Sequence, residues 1–485
     1  MNRIVLIAVL GVLSTQVKAQ NEVDALRYSM SDVPVTGRSF GMGGAFGAVG
    51  ADLSNLFTNP AGLGAFKRNN MEISFGLHDV MSNSTYMNNM DNNARTRFNL
   101  NNIGIIGTQK IENSDWKSVT FGFAHGKTNN FYQNINISGI SNGTTMMDQF
   151  AFQADGIHPD ELTDAMPFTS GLAYQTYAID PGDSLGTFYY PNSYTGDINQ
   201  SKSVRRTGVQ NETSFGIGAS YKDFLLLGMT LNFQGVRFRE FATYSENFEN
   251  LDANYLSGYS YNENLYSDGT GIGVKLGAIV IPTPWLRVGA AYHSATRISL
   301  TESYTADMAS TIRGGGNWDY TSPTLVTEYI IVTPARAMAN AAFIIDKIGV
   351  LSVDYEYANY DRMRMSGTRT NSYNYSDENE TIGDIYQGTH KVRAGMEFRF
   401  LEAFYARGGA VYQQSPFVNG VGALTNPRMT YTGGLGYRSD YFFIDLAAGY
   451  TSNKENYYLY DPALVDAATI QNNCFTGILS VGMRY

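Results

Sequence analysis

This sequence predicts an all-β chain folded as a transmembrane antiparallel β-barrel of about 14 strands, on three observations. Candidate strands alternate apolar and polar residues with a period of two. The connections between them alternate short and long. The chain closes on an alternating strand that ends in an aromatic residue, Tyr485. Bacterial barrels of this class carry short periplasmic turns and long external loops, whereas a soluble sandwich has no reason to sort its loops in this way.

Composition narrows the field in the same direction. The chain has 485 residues, 16% charged and 13% aromatic, with 50 Gly and one Cys. Beyond the first residues no apolar run approaches the roughly 18–20 needed for a membrane-spanning helix. The aromatic and glycine content excludes a coiled coil or a disordered tail. A disulfide scaffold is impossible with Cys474 alone. A net charge of −10 argues against a nucleic-acid partner.

The candidate strands fall at 71–77, 102–110, 118–138, 213–221, 224–240, 271–280, 286–304, 335–345, 348–365, 389–400, 404–412, 429–438, 441–452 and 475–485. Short connections are Lys222-Asp223, Pro282 to Trp285, Asp346-Lys347, Leu401 to Ala403 and Ser439-Asp440. Long ones span about 78–101, 139–212, 241–270, 305–334, 366–388, 413–428 and 453–474. Within 391–400, Val392, Ala394, Met396, Phe398 and Phe400 oppose Lys391, Arg393, Gly395, Glu397 and Arg399. Successive side chains point to opposite faces of a strand, so one face meets hydrocarbon and the other a polar lumen. The strands 286–293 and 442–449 divide in the same manner. The last strand sets Phe475, Gly477, Leu479, Val481, Met483 and Tyr485 in one phase. A terminal aromatic in that phase is the signal expected to be read by the barrel assembly machinery, and the barrel wall is expected to face outer-membrane lipid.

The chain begins as an exported protein does. Asn2-Arg3 precedes an apolar run from Ile4 to Leu13, and Val17-Lys18-Ala19 offers small residues at the cleavage positions before Gln20. Residues 1–19 therefore read as a secretory signal peptide. Residues 20–70 lack a long alternating run and read as a plug for the barrel formed by 71–485. They carry a glycine-rich stretch from Gly37 to Gly47 and then Asn59-Pro60-Ala61-Gly62. A nucleotide loop is excluded, because the spacing from Gly41 puts Phe46 where the third glycine belongs. A barrel of this size encloses more space than wall side chains fill, so an internal plug is physically sensible.

Taken with the signal peptide, the glycine-rich segment and Asn59-Pro60-Ala61-Gly62 resemble the N-terminal hatch of the FadL-type outer-membrane transporters. The stretches Pro284 to Ser294, Lys391 to Glu397 and Ala406 to Pro416 are similar to that family in the same order. The resemblance implies a bacterial outer-membrane protein that passively transports long-chain fatty acids or aromatic hydrocarbons. It implies landing on an external groove, a pocket in the lumen, and lateral exit through the wall into the membrane. The hatch residues expected to gate that path are Asn59, Pro60, Ala61 and Gly62, with Phe40 and Phe46. A fatty-acid carboxylate would call for a cation in the lumen, and Arg287, His293, Lys275, Arg393 and Arg407 are the candidates. The same five also fit an ion-pair lattice with Asp354, Glu356, Glu397 and Asp445, which is the plainer reading for any one of them. The longest connection, 139–212, holds a candidate helix from Pro159 to Met166, followed by Phe168, Leu172, Tyr174 and Tyr177, which fit either a ligand groove or the packing of a loop cap.

Other functions find less support. His78 and His390 fall near the outer ends of strands, but no nucleophile signature accompanies them. No histidine or cysteine pair has metal-ligand spacing, and no haem-attachment motif occurs. The chain is therefore expected not to be an enzyme and to need no metal or cofactor. The alternatives to hydrophobic transport are a surface adhesin or structural barrel, whose Tyr- and Asn-rich loops would bind partners, and a porin for polar solutes, which would have an open lumen.

Overall fold

A computed structural model describes residues 21–192, 196–248, 256–418 and 426–485. The predicted signal peptide, 1–19, lies outside them. One antiparallel sheet dominates and closes on itself, because its first strand, β1 (Asn70–Tyr86), pairs with its last, β21 (Ala468–Arg484), from Asn70↔Arg484 to Thr85↔Thr469. Between them run β2 (Asn89–Lys110), β3 (Trp116–Asn130) continued by β4 (Gln133–Asn142), β7 (Asp197–Tyr221), β8 (Leu225–Phe248) and β9 (Leu256–Thr283). Next come β10 (Leu286–His293) continued by β11 (Arg297–Ile312), then β13 (Leu325–Val332) continued by β14 (Arg336–Ile345). β15 (Gly349–Asn359) runs on into β16 (Arg364–Gly367), and β17 (Gly388–Phe400), β18 (Phe404–Gln413), β19 (Arg428–Arg438) and β20 (Phe442–Tyr457) complete the circuit. With the interrupted strands counted once, this is a closed barrel of 14 strands, as the alternation predicts.

The barrel is inside-out relative to a soluble protein. On β17, Val392, Met396 and Phe398 are exposed, while Lys391, Arg393 and Glu397 are buried in the interior. Leu435, Ile444 and Leu446 face outward, and Asp445 is fully enclosed. Near the short turns the rings of Phe400, Phe404, Tyr437 and Phe442 pack in series, with centroids 5.2–6.0 Å apart. A girdle of aromatic rings at one edge of an apolar band fits a membrane interface.

The structure corrects the predicted elements in two ways. The segment 78–101 is not a loop: it belongs to β1 and β2, which meet at a two-residue turn where Met87 and Asn88 both have positive φ (46° and 64°). In the same way β8 and β9 extend through most of 241–270, and β11, the short β12 (Gly316–Thr321) and β13 through most of 305–334. β7, β8 and β9 have 25, 24 and 28 residues, against about 9–11 needed to cross a bilayer. Their outer halves stand clear of hydrocarbon, where the outward face carries polar residues such as Thr243 and Asn262 while Tyr244 and Tyr261 are buried on the inward face, so the lipid-facing signal that marks a spanning strand is absent. Conversely, the single strands expected at 118–138, 286–304 and 348–365 are each interrupted: at Phe131-Tyr132, at 294–296 and at a 3-10 turn, Tyr360–Arg362.

The long connection after β4 folds into a cap. It holds α3 (Met146–Ala154), α4 (Pro159–Ala165), α5 (Ser170–Gln175) and a small hairpin of β5 (Ile179–Pro181) and β6 (Tyr189–Pro191). α4 matches the predicted helix. Met147, Phe150, Leu162, Leu172 and Ile179 bury their side chains against Tyr244 and Tyr261 of the upper barrel wall. Phe168 packs against Tyr304, with ring centroids 5.3 Å apart, and Tyr177 stays exposed against Trp318. A further helix, α6 (Ser376–Ile385), lies in the connection before β17.

Candidate functional site

Residues 21–66 lie inside the barrel and are built from short capped turns, and Lys67 and Arg68 are exposed beside the short turns. α1 (Glu22–Ser29) is capped by Asn21, and α2 (Gly37–Gly41) by Thr36. Two 3-10 turns follow, Leu53–Leu56 capped by Asp52 and Pro60–Ala65 capped by Asn59. The caps satisfy backbone N–H groups that a short helix leaves free. They also interlock, since Thr36 Oγ1 donates to Asp52 at 3.0 Å and Asn55 Nδ2 donates to the Phe46 carbonyl at 3.1 Å. A segment too short to hold a core of its own is thereby given a defined shape.

The wall holds this plug with charge. Arg38 donates from Nε and Nη2 to Glu397 on β17, at 2.9 and 2.8 Å. Asp32 lies between Lys391 and Arg428, at 2.8 and 2.9 Å. The Phe46 and Gly47 amides both donate to Asp354, at 3.0 and 2.8 Å. The Asn59-Pro60 turn lies flat on the wall. A Cβ at Gly228 would overlap the Pro60 carbonyl, and one at Gly277 would overlap the Asn59 side-chain oxygen. Only glycine allows so close an approach at these two positions.

Above and beside the plug lies a cavity of about 1020 Å³, at the upper end of the range of about 300–1,000 Å³ usual for small-molecule sites. Leu26, Val33, Val35 and Phe40 of the plug and Phe131 and Phe238 of the wall give it apolar surface. It reaches the wall where β2 and β3 part. Those strands pair from Lys110↔Ser118 up to Asn102↔Gly126, and among the described residues no ladder joins 89–101 of β2 to β3 or β4. Side chains cross this seam instead. Arg95 donates to Asn134 at 2.9 Å, Arg97 to the Tyr132 hydroxyl at 2.9 Å, and the Ser138 amide to Asp91 at 2.8 Å. Phe98 and Leu100 beside it face outward. At membrane depth an unpaired strand edge is tolerated only where protein or a cavity covers it.

This barrel with an internal plug matches known proteins along nearly its whole length. The family model for outer membrane transport proteins of the OMPP1/FadL/TodX type matches residues 27–461. The chain belongs to this family. Its fold is similar to that of a FadL homologue from Pseudomonas aeruginosa, at 13% identity and a TM-score of 0.56, over 94% of this chain and 98% of that one. It is equally similar to the toluene transporter TodX of P. putida, at 12% identity and a TM-score of 0.56, over 94% and 99%. The Ralstonia pickettii toluene transporter TbuX follows at 15% identity and a TM-score of 0.51, over 93% and 98%. No curated protein matches the sequence. The protein is thus an outer-membrane transport barrel, and its family is one of transporters rather than enzymes.

The structure places the predicted residues of this FadL/TodX-family barrel as follows. Asn59, Pro60, Ala61 and Gly62 form the buried turn on β8 and β9, with the Asn59 amide 3.3 Å from Asn340 Oδ1. Phe40 faces the large cavity, and Phe46 is fully buried beneath the Arg38 guanidinium, 4.8 Å from its ring centroid. Arg287 donates to the Val49 carbonyl of the plug. His293 Nε2 lies 2.6 Å from the Thr58 carbonyl, and Lys275 donates to the Phe57 carbonyl at 3.1 Å and to Glu212 at 2.5 Å. Arg407 bridges Glu397 and Asp445 at 2.6 Å each. Arg393 lines the large cavity and pairs with Glu356 at 2.6 Å. Three of the five candidates therefore bond the backbone of the plug, and the other two lie in an ion-pair lattice. His78 turns into the lumen, whereas His390 sits outside on the Tyr355 hydroxyl at 2.6 Å, so the two do not meet. Sequence reasoning missed Asp32, Arg38, Lys127 and the seam. Their partners stand hundreds of residues away or on neighbouring strands, and no local spacing marks them.

Proposed function

We propose that this protein carries hydrophobic small molecules, long-chain fatty acids or aromatic hydrocarbons, through the outer membrane by way of the large cavity and the seam between β2 and β3. The observation that carries the reading is that the cavity lies between a wall-anchored plug and a discontinuity in the wall where its lining residues sit on both lips, Asn101 on β2 and Thr128 to Tyr132 beyond the last rung on β3. An aliphatic tail gains about 0.8 kcal/mol for each CH₂ it buries. A route that leaves sideways never returns that tail to water. The plug occupies the axial path, so hydrophobic cargo has a reason to leave through the wall. Asn59 and Pro60 would then set the position of the plug rather than touch the cargo.

The test is uptake of labelled oleate and labelled toluene by cells with and without the protein. Expression should raise uptake of one or both several-fold, and bilayers containing the purified barrel should show little steady ion conductance. Unchanged uptake of both compounds would reject the reading in favour of an adhesin or structural barrel. Large ohmic conductance would favour a porin.

A further inference from the structure

The cavity wall holds a buried ammonium with no counter-ion among the described residues. Lys127 stands on β3, one residue beyond the last rung to β2, and its side chain reaches across the start of the seam. It donates to His78 Nε2 on β1 at 2.8 Å and to Asn99 Oδ1 on β2 at 2.8 Å. The ammonium fixes the imidazole tautomer. His78 Nε2 must accept, so Nδ1 carries the proton and donates to Thr476 Oγ1 at 3.2 Å. His78 is therefore neutral in this arrangement and cancels none of the charge. An ammonium has three donors, and the third has no protein acceptor among the described residues.

The other cations that line this cavity differ. Arg393 faces Glu356 at 2.6 Å, Arg206 faces Glu240 at 2.5 Å, Arg27 faces Asp24, and Lys391 and Arg428 share Asp32. Among the described residues no carboxylate lies within ion-pair distance of Lys127, although the residue is only 9% exposed. A buried charge is ordinarily paired, because removing it from water is costly. Lys127 also sits where the apolar lining ends and the wall opens.

Given the transport reading above, on which this inference rests, we propose that Lys127 binds the anionic head of a single-tailed amphiphile, a monocarboxylate in the first instance. It holds that head at the inner lip of the seam while the tail lies in the cavity. The unused N–H supplies a charge-assisted hydrogen bond, and His78 and Asn99 hold the ammonium in place.

The test is a titration of the whole mature barrel, released from detergent in native mass spectrometry, with oleate and with oleyl alcohol. Wild type should bind oleate at least tenfold more tightly than the alcohol. Lys127→Met should bring oleate to the alcohol's affinity and leave the alcohol within twofold, and Lys127→Arg should keep the preference. The heat-dependent gel shift of each variant confirms that its barrel is folded. If Lys127→Met keeps the oleate preference, or weakens both ligands equally, Lys127 is only a tie between strands and the proposal fails. If wild type binds both ligands equally, the head-group role fails and the transport reading stands. If wild type binds neither, this proposal fails, and the transport reading stands or falls on the uptake of toluene.

Discussion

Arg38 of the plug and Glu397 of β17 are joined by two hydrogen bonds, with the glutamate almost fully enclosed by protein. Glu397 also holds Arg407 at 2.6 Å, so the wall keeps its own pairing when the plug lets go. Arg38→Met should therefore loosen the plug and spare the barrel. Hydrogen bonds to a charged group contribute about 1.5–3 kcal/mol, and each 1.4 kcal/mol is about tenfold in an opening equilibrium. Hydrogen exchange should speed at least about tenfold at amides 36–47, with the amides of β17 and β18 unchanged. Equal acceleration in the strands would mean that the pair braces the barrel.

The Asn59-Pro60 turn depends on glycine beneath it. Gly228→Val places a side chain where the Pro60 carbonyl now lies. The turn must lift, at a cost of about 1–3 kcal/mol for overpacking, while β8 keeps its ladders to β7 and β9. The expected result is altered cargo uptake with a normal heat-dependent gel shift. Asn59→Ala removes the cap on the Ala61 amide and the contact to Asn340, and should do the same more weakly. Wild-type uptake by both variants would rule out a gating role for this turn.

The two predictions concern parts of the molecule that were unequally legible. The spanning halves of the strands were readable because lipid and lumen impose opposite polarity on neighbouring residues, as at Val392 and Arg393. The same logic went blind at Asp79 to Asn99, where both faces of β1 and β2 are polar and only pairing makes them strands. The turn Lys222-Asp223 stood out between apolar runs, whereas Met87-Asn88, which has the same left-handed backbone, lay in a stretch with no alternating apolar run on either side. The motif Asn59 to Gly62 was visible as a motif, but its seat on Gly228 and Gly277 required the barrel to be closed. Arg38 and Glu397 lie 359 positions apart. Lys127 read as one polar residue in a long strand, since neither the break at Phe131 nor the lack of a carboxylate can be seen along the chain.

The C-terminal Tyr485 gives a prediction about assembly rather than stability. It is tied to the start of the barrel through backbone alone, with reciprocal hydrogen bonds to Asn69 at 3.1 and 3.3 Å, and its ring is exposed. Tyr485→Ala removes no buried contact. It should leave refolding of purified chain into detergent unchanged and should lower the amount of assembled barrel in cells several-fold, through weaker reading by the assembly machinery. Equal yields in cells would show that this ring carries no such signal.

The seam offers a direct test of lateral exit. Arg95 on β2 and Asn134 on β4 face each other across it, with their side chains 2.9 Å apart. In a Cys474→Ser background, Arg95→Cys and Asn134→Cys give two thiols that a short bismaleimide can join. The link adds a covalent bridge where the backbone has none, and it leaves the plug, the cavity and the axial route untouched. Cross-linking should abolish uptake of cargo while the purified protein still binds oleate or toluene. Either single-cysteine variant, treated with the same reagent, should retain most of its uptake. If the doubly linked barrel transports at the wild-type rate, cargo leaves by another path, because a ligand wide enough to need this opening cannot pass a wall that is sewn shut.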